Sequence, residues 1–439
     1  FQLIDDTNLI LTQYRTANGS CNNLQHPSWG QADSPYVRMA AEYDSIPRQL
    51  SSSFMPLPSA RAVCEVIHGS LSNLSPRLSL MVMQWAQFLD HDCTSTPAER
   101  GEQTYLIYCL ILPFYFRGNC FPIFISNEDS FFKTSCMSFG RSKPFGESLP
   151  RQQFNSITAF VDGSMVYGSS DDETTALRTG VDGLLETSPG DLLPEDSEAS
   201  CRKPEASDSY CFLAGDARVN VFPGLAVLHT LFVRFHNKIA TELKELSQLS
   251  QIFKGPRLTD EDLFQTSRKI VSAVIQHITY DEFLPVLLGP ALMTKYKLNA
   301  PYSYDPSINP TIMNGFAAAA FRFGHSMIPD NLKIAGTPVP IHELFFRTDS
   351  VIHNFADIVN NLVSDSSESN DRFVTEEMAD RLFQTPNGSL DIVSLNIQRG
   401  RDHGLPPFND YREECGLSRL SFSDPEFGSC GALLSKVYE

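Results

Sequence analysis

The chain has 439 residues, with 34 Lys and Arg against 52 Asp and Glu and a formal net charge of -18. So acidic a surface repels the phosphates of nucleic acids and anionic lipids, which argues against a nucleic-acid partner. A hydrophobic fraction of 42% excludes a wholly disordered chain. The length favours one large domain or two.

Cysteines and glycosylation sequons together indicate the compartment. The chain holds 10 Cys, and Asn-X-Ser sequons begin at Asn18, Asn73 and Asn387. Thiols can stay reduced and short sequons arise by chance, so only the combination favours secretion. Phe1 opens a stretch of mixed polarity rather than a signal peptide, so we expect the chain either to be mature or to begin partway into its gene product. The longest apolar run, Tyr105 to Phe116, is shorter than the about 20 residues of a membrane span, so we expect no transmembrane segment there and interpret it as a buried segment or an exposed apolar patch.

Apolar residues recur at helical spacing in the informative parts of the chain. Helices are predicted over 76–91, entered at Pro76, over 224–246, over 260–288, ending at Gly289-Pro290, and over 309–325, opening after Asn309-Pro310. Strand signals are short and scattered, and stretches such as 187–209 and 363–371 are polar. The pattern indicates a mostly α protein with long loops.

The densest cluster of functional side chains closes the first predicted helix and comprises Gln87, Asp90, His91 and Asp92. Gln87 and His91 are four residues apart, so on a helix they face the same way. An amide and an imidazole therefore converge on one side. For this segment taken alone, a solvated helix end rich in Asp and His is the alternative.

Two further segments carry chemistry. The first, Phe321 to His325, follows a run of alanines. Small side chains allow a flat cofactor to approach closely, and a histidine on a helix can ligate iron. A core histidine that caps its helix is the alternative there. The second, Ser394 to Gly404, is strongly polar yet follows an apolar stretch, which predicts buried charge pairs rather than a free loop.

These three segments, in this order, resemble the animal haem peroxidase family, the group of myeloperoxidase, peroxidasin and the invertebrate peroxinectins, with the peroxinectin type most similar. Supporting matches lie at Phe160 to Gly168, Phe212 to Arg218 and His229 to Asn237. The resemblance implies a mostly α fold with little β structure, in one large haem peroxidase domain over residues 1–439. Relatives continue beyond Glu439, so the domain is expected to be incomplete at its C-terminus, and another chain could cover the missing part.

The resemblance also implies haem b as cofactor and assigns its proximal side. His325 would be the metal ligand that binds the haem iron. Asn396 would accept a hydrogen bond from the other ring nitrogen of His325, which orients the imidazole and tunes the iron. Arg322 matches a family arginine near the haem propionates.

The distal side follows from the same resemblance. His91 would be the acid–base residue that takes a proton from hydrogen peroxide and returns it to the departing oxygen. Arg218 would stabilise the charge that develops as the O–O bond breaks. Gln87 matches the residue that holds distal water and, in some members, halide, and Asp90 matches an aspartate that forms an ester with a haem methyl.

A calcium site is implied next to His91. Its ligands would be Asp92, Thr158, Phe160 through its backbone carbonyl, Asp162 and Ser164. The alternating spacing of the last four suits a loop that wraps a hard cation with oxygen ligands.

The sequence departs from the family where a second ester-forming glutamate is common, because that position is Val221. Phe222 likewise excludes the sulfonium link that myeloperoxidase makes from a methionine. We expect a haem held by one ester at most, with a lower reduction potential and weak chloride oxidation. Bromide, iodide, thiocyanate or phenolic donors are then the favoured substrates.

The family pattern also implies disulfides. It supports Cys201 with Cys211, because Cys211 directly precedes the Phe-Leu-Ala-Gly-Asp motif. Proximity alone suggests Cys415 with Cys430, and Cys21 lacks an upstream partner. A further group that cannot pair completely within itself comprises Cys109, Cys120 and Cys136.

The resulting hypothesis is a secreted haem peroxidase that reduces hydrogen peroxide and oxidises halide, thiocyanate or phenolic donors such as tyrosine. The alternative is a catalytically weak or inactive relative with an adhesive, matrix or structural role, motivated by Val221, the apolar run and the acidic surface. A fatty-acid oxygenase like the cyclooxygenases is disfavoured, because those relatives lack the Asp90-type ester and the calcium loop.

Overall fold

A computed structural model describes residues 14–39, 57–99, 120–146, 151–202, 209–252, 257–302 and 304–438. The apolar run Tyr105 to Phe116 lies outside these residues. Helices carry most of the regular structure, which confirms the predicted class. The α-helices are α1 (Ala60–Val63), α2 (Leu80–Cys93), α3 (Ser164–Tyr167), α4 (Asp171–Ala176), α5 (Pro223–Ile252), α6 (Asp260–His277), α7 (Leu284–Lys295), α8 (Asn314–Ala318), α9 (Ile341–Leu344), α10 (Asp349–Ser364), α11 (Glu376–Ala379), α12 (Ile392–Asp402), α13 (Phe408–Glu414) and α14 (Ser429–Tyr438).

The remaining elements are short. Segments of 3-10 helix occupy Ala217–Asn220, Ala320–Met327 (called the 3-10 turn below) and Pro425–Phe427, and π-helical turns occupy Cys64–His68 and Ile278–Phe283. The strands are β1 (Ser34–Pro35), β2 (Leu74–Ser79), β3 (Ile123–Phe124), β4 (Cys136–Met137), β5 (Phe154–Asn155), β6 (Asn331–Ile334), β7 (Thr337–Pro340), β8 (Ser366–Glu368), β9 (Leu382–Thr385) and β10 (Gly388–Leu390). They form antiparallel pairs, β1 with β5, β2 with β8, β3 with β4, β6 with β7 and β9 with β10.

Two predicted helix starts are wrong. The first helix does not begin at Pro76, because residues 74–79 pair with β8 as strand β2 and the helix begins at Leu80. The Leu80 N–H donates to the carbonyl of Asp365 at 2.9 Å, which fixes this boundary. The segment predicted over 309–325 begins as a helix only at Asn314, and it changes to 3-10 geometry because Ala319 leaves the helical region.

One predicted helix end is wrong and one is confirmed. The helix predicted to end at residue 246 continues to Ile252. Beyond α6, a π-helical turn leads into α7, which continues to Lys295. Gly289 interrupts α7 with a φ of 74°, a left-handed conformation open to glycine, so the helical geometry breaks at the Gly-Pro pair, as predicted, and a second helical stretch follows it.

The core is built around α2, which contacts α5, α10 and the 3-10 turn Ala320–Met327. Phe88 of α2 is fully buried, and its ring stacks on Phe232 of α5 at 5.3 Å between centroids. Trp85 and His229 contact the Phe88 ring from other sides, at 5.7 Å and 5.0 Å. The apolar face of α2 is thereby fixed, so its opposite face is held in one orientation.

A glycine lets α2 and α5 approach closely. A Cβ on Gly224, at the start of α5, would lie 2.4 Å from Oε1 of Gln84. Gln84 is itself fully buried. A side chain at Gly224 would therefore displace the buried amide of Gln84.

Helix α12 is anchored at both ends by buried ion pairs. At its start, Asp391 accepts from the N–H of Val393 at 2.8 Å and pairs with buried Arg61 at 3.0 Å. At its end, fully buried Asp402 pairs with Arg141 at 2.6 Å and with Arg399 at 3.1 Å. These contacts confirm the buried charge pairs predicted for this segment.

The disulfide predictions have different outcomes. Cys201 and Cys211 are bonded, which confirms that pair. Cys415 and Cys430 are free thiols, so that prediction is wrong. The residues between them fold back on α13, where Asn409 exchanges two hydrogen bonds with Leu420, both at 2.8 Å. Cys21 is also a free thiol, and Cys109 lies outside the described residues.

Among the described residues, no helix combines the length and the apolar character that crossing a bilayer requires.

We predict that Phe88→Ala lowers the free energy of unfolding by about 3–5 kcal/mol, because it leaves a cavity between α2 and α5. Urea-induced unfolding followed by circular dichroism measures this. The control is Leu249→Ala on α5, which removes an exposed side chain and should change stability by no more than about 0.5 kcal/mol. Equal effects of the two substitutions would contradict the assignment of Phe88 to the core.

Candidate active site

A cavity of about 370 Å³ lies between α2, the 3-10 turn Ala320–Met327 and α12. Small residues such as Ala86, Ala317 and Gly324 form part of its wall. The predicted site residues that line it are Gln87, Asp90, His91, Arg218, Arg322 and His325. Three distant segments of the sequence thus meet at one cavity, with one histidine from α2 and one from the 3-10 turn.

A buried carboxylate organises the α2 side of the cavity. Asp216 accepts two hydrogen bonds from the guanidinium of Arg218, at 2.8 Å and 2.6 Å. Arg218 also donates to the carbonyl of Thr94 at 2.9 Å. Asp216 Oδ1 lies 3.8 Å from Nδ1 of His91, which is buried and has no hydrogen-bond partner among the described residues. One carboxylate therefore fixes the arginine and faces the imidazole.

The charges of this group follow from burial and from the arginine. Burial, assisted by the nearby Arg218 charge, holds the pKa of His91 well below its ordinary value. Burial alone would raise the pKa of Asp216, but Arg218 holds it well below its usual range. At neutral pH the group therefore contains a neutral imidazole, an ionised carboxylate and a guanidinium cation.

His325 is paired with Asn396 on the other side of the cavity. The amide nitrogen of Asn396 lies 2.8 Å from Nδ1 of His325, and Arg322 donates to the amide oxygen at 2.9 Å. The predicted pairing is present, but the amide has the opposite polarity, because Arg322 occupies the oxygen that was expected to accept from the ring. Burial, and then Arg322, lower the pKa of His325 to about 3.

Asp90 faces the same cavity from α2. Its carboxylate accepts from the Thr94 hydroxyl at 2.7 Å and lies 3.7 Å from Arg218. Burial raises its pKa, although Arg218 opposes this. Val221, at the position of the absent glutamate, lines the cavity too.

Gln87 is oriented by another glutamine. Gln84 Nε2 donates to Gln87 Oε1 at 2.9 Å, one turn earlier on α2. Because Gln84 engages the oxygen, Gln87 is left with its NH₂ group for the cavity. A donor group at this point suits water or an anion.

Oxygen atoms converge at the end of α2. Asp92 is fully buried and accepts from the N–H of Ser164 at 2.7 Å and from the Ser164 hydroxyl at 3.0 Å. The Thr158 hydroxyl lies 3.0 Å from both carboxylate oxygens of Asp162. Phe160 lies in the same turn and borders a separate cavity of about 660 Å³ near the N-terminal loop.

Two carboxylates thus face each other in this oxygen cluster. Burial, and then the charge of Asp162, raise the pKa of Asp92 well above its ordinary value, and burial raises that of Asp162 to about 6. Within the described residues, no group of three or more His, Cys, Asp or Glu side chains is arranged to hold a metal ion. The cluster instead combines two acids with hydroxyl oxygens, a donor set that suits calcium.

Sequence reasoning missed Asp216, Gln84 and Thr94. Asp216 stands two residues before Arg218 inside a motif that was recognised, and this spacing was the available signal. Gln84 and Thr94 lie three residues before Gln87 and four after Asp90, so helical spacing would have placed them as neighbours.

The helical fold and the paired histidines define a class of haem enzymes. A model described as Animal haem peroxidase matches residues 14–426, and the chain belongs to this family. Peroxidasin homolog of Homo sapiens is 35% identical over 92% of the chain and 30% of its own length. Chorion peroxidase of Drosophila melanogaster is 34% identical, over 98% of the chain and 57% of that protein. Myeloperoxidase of Homo sapiens is 36% identical, over 92% of the chain and 59% of that protein.

Solved structures agree with this assignment. Peroxidase A from Dictyostelium discoideum has a TM-score of 0.78 and 27% identity, over 97% of the chain and 83% of that structure. A fatty acid alpha-dioxygenase of Arabidopsis thaliana has a TM-score of 0.74 over 100% of the chain and 70% of that structure, but at 19% identity it shares the fold alone. The chain spans between 30% and 59% of the length of the three curated relatives named above.

We predict that Asp216→Asn destabilises the protein by roughly 3 kcal/mol, because it removes the buried carboxylate that pairs with the half-buried Arg218. Urea-induced unfolding at neutral pH tests this. Asp410→Asn is the matched control, since it breaks an exposed pair with Arg419 and should cost no more than about 1 kcal/mol. An Asp216→Asn variant as stable as this control would refute the central role of the carboxylate.

Proposed function

We propose that this protein is a secreted haem peroxidase that reduces hydrogen peroxide and oxidises halide, thiocyanate or phenolic donors at the cavity between α2 and the 3-10 turn. The observation that carries the proposal is the meeting of His91, Arg218 and His325 at one cavity. Membership of the animal haem peroxidase family supports the same reading.

The residues on both sides of the cavity fit a haem. His325 would ligate the iron through Nε2, because Asn396 occupies Nδ1. A neutral ligating imidazole carries its proton on Nδ1, so Asn396 would turn its oxygen towards the ring. Arg322, which now holds that oxygen, would be released to a haem propionate. When bound, the haem supplies the two electrons that reduce the peroxide.

His91 and Arg218 would carry out the proton chemistry. His91 is neutral at neutral pH, since its pKa is lowered by burial, so it can accept a proton from hydrogen peroxide and deliver it to the departing oxygen. Arg218 would stabilise the charge on that oxygen, held in position by Asp216. Gln87 would bind distal water or a halide through its NH₂ group.

Asp90 is the candidate for a covalent link to the cofactor. It faces the cavity and is the carboxylate that the family pattern assigns to an ester. Val221 provides no second carboxylate, so a single ester is proposed, with weak chloride oxidation as its consequence.

Calcium binding is proposed for the oxygen cluster at the end of α2, with Asp92, Thr158, Phe160, Asp162 and Ser164 as ligands. A bound cation would relieve the repulsion between the two buried carboxylates. It would also fix the end of the helix that carries His91.

Secretion is supported by the Cys201–Cys211 disulfide and by the sequons. The asparagines of all three sequons, Asn18, Asn73 and Asn387, are exposed, so each can receive a glycan.

We predict that purified protein binds haem with a Soret band and oxidises guaiacol and bromide with hydrogen peroxide. His325→Ala should lose the Soret band. His91→Ala should keep the band but lose about 10²–10⁴-fold in kcat/KM, because it removes the proton-transfer group. His353→Ala, at an exposed histidine, is the control. Haem binding without turnover would favour the adhesive or structural alternative.

We predict that bromide is oxidised much faster than chloride, and that Val221→Glu raises the chloride rate by restoring a carboxylate at the haem edge. Halide-dependent chlorination and bromination of monochlorodimedone measure both rates, with Val221→Gln as the uncharged control. Comparable chloride and bromide rates in the natural protein would overturn the single-ester proposal.

We predict that removal of calcium with EGTA lowers the melting temperature, because the carboxylates of Asp92 and Asp162 lose their counter-ion. The Asp162→Asn variant should melt lower and no longer respond to EGTA. Asp371→Asn, at an exposed position, should behave like the natural protein. An unchanged melting temperature after complete chelation would refute the calcium site.

A further inference from the structure

Two tyrosine side chains contact each other at the surface. Tyr280 lies on the π-helical turn Ile278–Phe283, and Tyr302 lies on the loop that follows α7. The rings of Tyr280 and Tyr302 lie 5.5 Å apart between centroids, with their planes inclined by 68°. Tyr302 is 52% exposed and Tyr280 is partly buried. Two phenols are thus in ring contact at the surface.

A carboxylate is positioned at the Tyr302 hydroxyl. This hydroxyl donates to Asp281 Oδ1 at 2.6 Å, and Asp281 Oδ2 lies 2.6 Å from Nδ1 of His277. The hydrogen bond to Asp281 raises the pKa of Tyr302 to about 12, so the phenol keeps its proton at neutral pH. Oxidation of a phenol makes that proton strongly acidic, and Asp281 is then the adjacent acceptor.

One hydrogen bond connects the turn that carries Tyr280 to helix α2. Trp85 of α2 donates to the Thr279 hydroxyl at 3.4 Å, and Thr279 is next to Tyr280 in the chain. The residue after Trp85, Ala86, lines the cavity that contains the two histidines. The helix that forms the cavity wall therefore also contacts the turn that carries the pair.

Two nearby exposed tyrosines lack this arrangement. Tyr296 is 60% exposed, and the ammonium group of Lys295 lies 5.1 Å from its ring. A cation at that distance opposes removal of an electron from the ring. Tyr304 is 69% exposed, and its hydroxyl has no hydrogen bond to the described residues. These two side chains are matched controls.

We propose that Tyr280 and Tyr302 are a site of oxidative self-modification, at which the peroxidase reaction joins the two rings as an intramolecular dityrosine. Each phenol loses one electron and its hydroxyl proton, and the proton of Tyr302 passes to Asp281. The two radicals join through ring carbons ortho to the hydroxyls, and the displaced ring protons return to the oxygens. One hydrogen peroxide takes up the two electrons and two protons and becomes two water molecules.

This proposal rests on the peroxidase activity proposed above, so both are measured in one experiment. Haem-loaded protein receives hydrogen peroxide without an added donor, is digested and is analysed by mass spectrometry. The expected product is a cross-linked peptide pair, two hydrogen atoms lighter than the sum of the peptides that contain Tyr280 and Tyr302. Guaiacol oxidation is assayed in parallel on the same sample.

Variants assign the chemistry to the pair. Tyr302→Phe and Tyr280→Phe should each abolish the cross-link, whereas Tyr296→Phe and Tyr304→Phe should leave its yield unchanged. Asp281→Asn should lower the initial rate of cross-linking by at least about tenfold, because it removes the proton acceptor. All five variants should oxidise guaiacol at the natural rate.

The outcomes separate this proposal from the proposed function. Guaiacol turnover without the cross-link would overturn the self-modification alone. Loss of both would overturn the peroxidase activity and the self-modification with it. A dityrosine that joins two chains through Tyr302 would overturn the pairing with Tyr280.

Discussion

The ion pair between Asp216 and Arg218 is the contact on which the cavity depends. Its bidentate geometry holds the guanidinium against the end of α2, where Arg218 also binds the Thr94 carbonyl. The backbone beside it is equally constrained, since a Cβ on Gly215 would lie 2.4 Å from the carbonyl of Ser164. The segment that carries the arginine is therefore packed directly against the oxygen cluster. A change in that cluster would be transmitted to both His91 and Arg218.

The sequence grouped the residues that line the cavity more accurately than it predicted where the helices that carry them begin. The family resemblance grouped His91, Arg218 and His325, and the structure places the three at one cavity, although their roles stay predictions. The start of α2 was misplaced because residues 74–79 pair with β8, almost three hundred residues away. A periodic pattern reports which face is buried, but it cannot report a partner that distant.

The direction of the hydrogen bonds in the site depends on which side chains compete for the same donor or acceptor, and the sequence does not show this. Asn396 was correctly matched to His325, yet its amide polarity is set by Arg322, which competes for the same oxygen. Gln84 orients Gln87 by donating a hydrogen bond to its amide oxygen, and Gln84 is itself held by packing against Gly224. The partner of Asn396 was predicted from the family resemblance, whereas the direction of its amide and the role of Gln84 are visible only in the folded structure.

Helix α12 has a consequence for the order in which the protein can assemble. Its first turn is held by Arg61, 330 residues earlier, and its last turn by Arg141, 261 residues earlier. Asn396 lies between these two anchors, so the position of the His325 ring depends on contacts between the first and the last parts of the chain. Closing loops of this length is entropically costly and slow. The proximal half of the cavity is therefore complete only when Arg61, Arg141 and helix α12 have come together, and without α12 the cavity would lack the wall that holds Asn396.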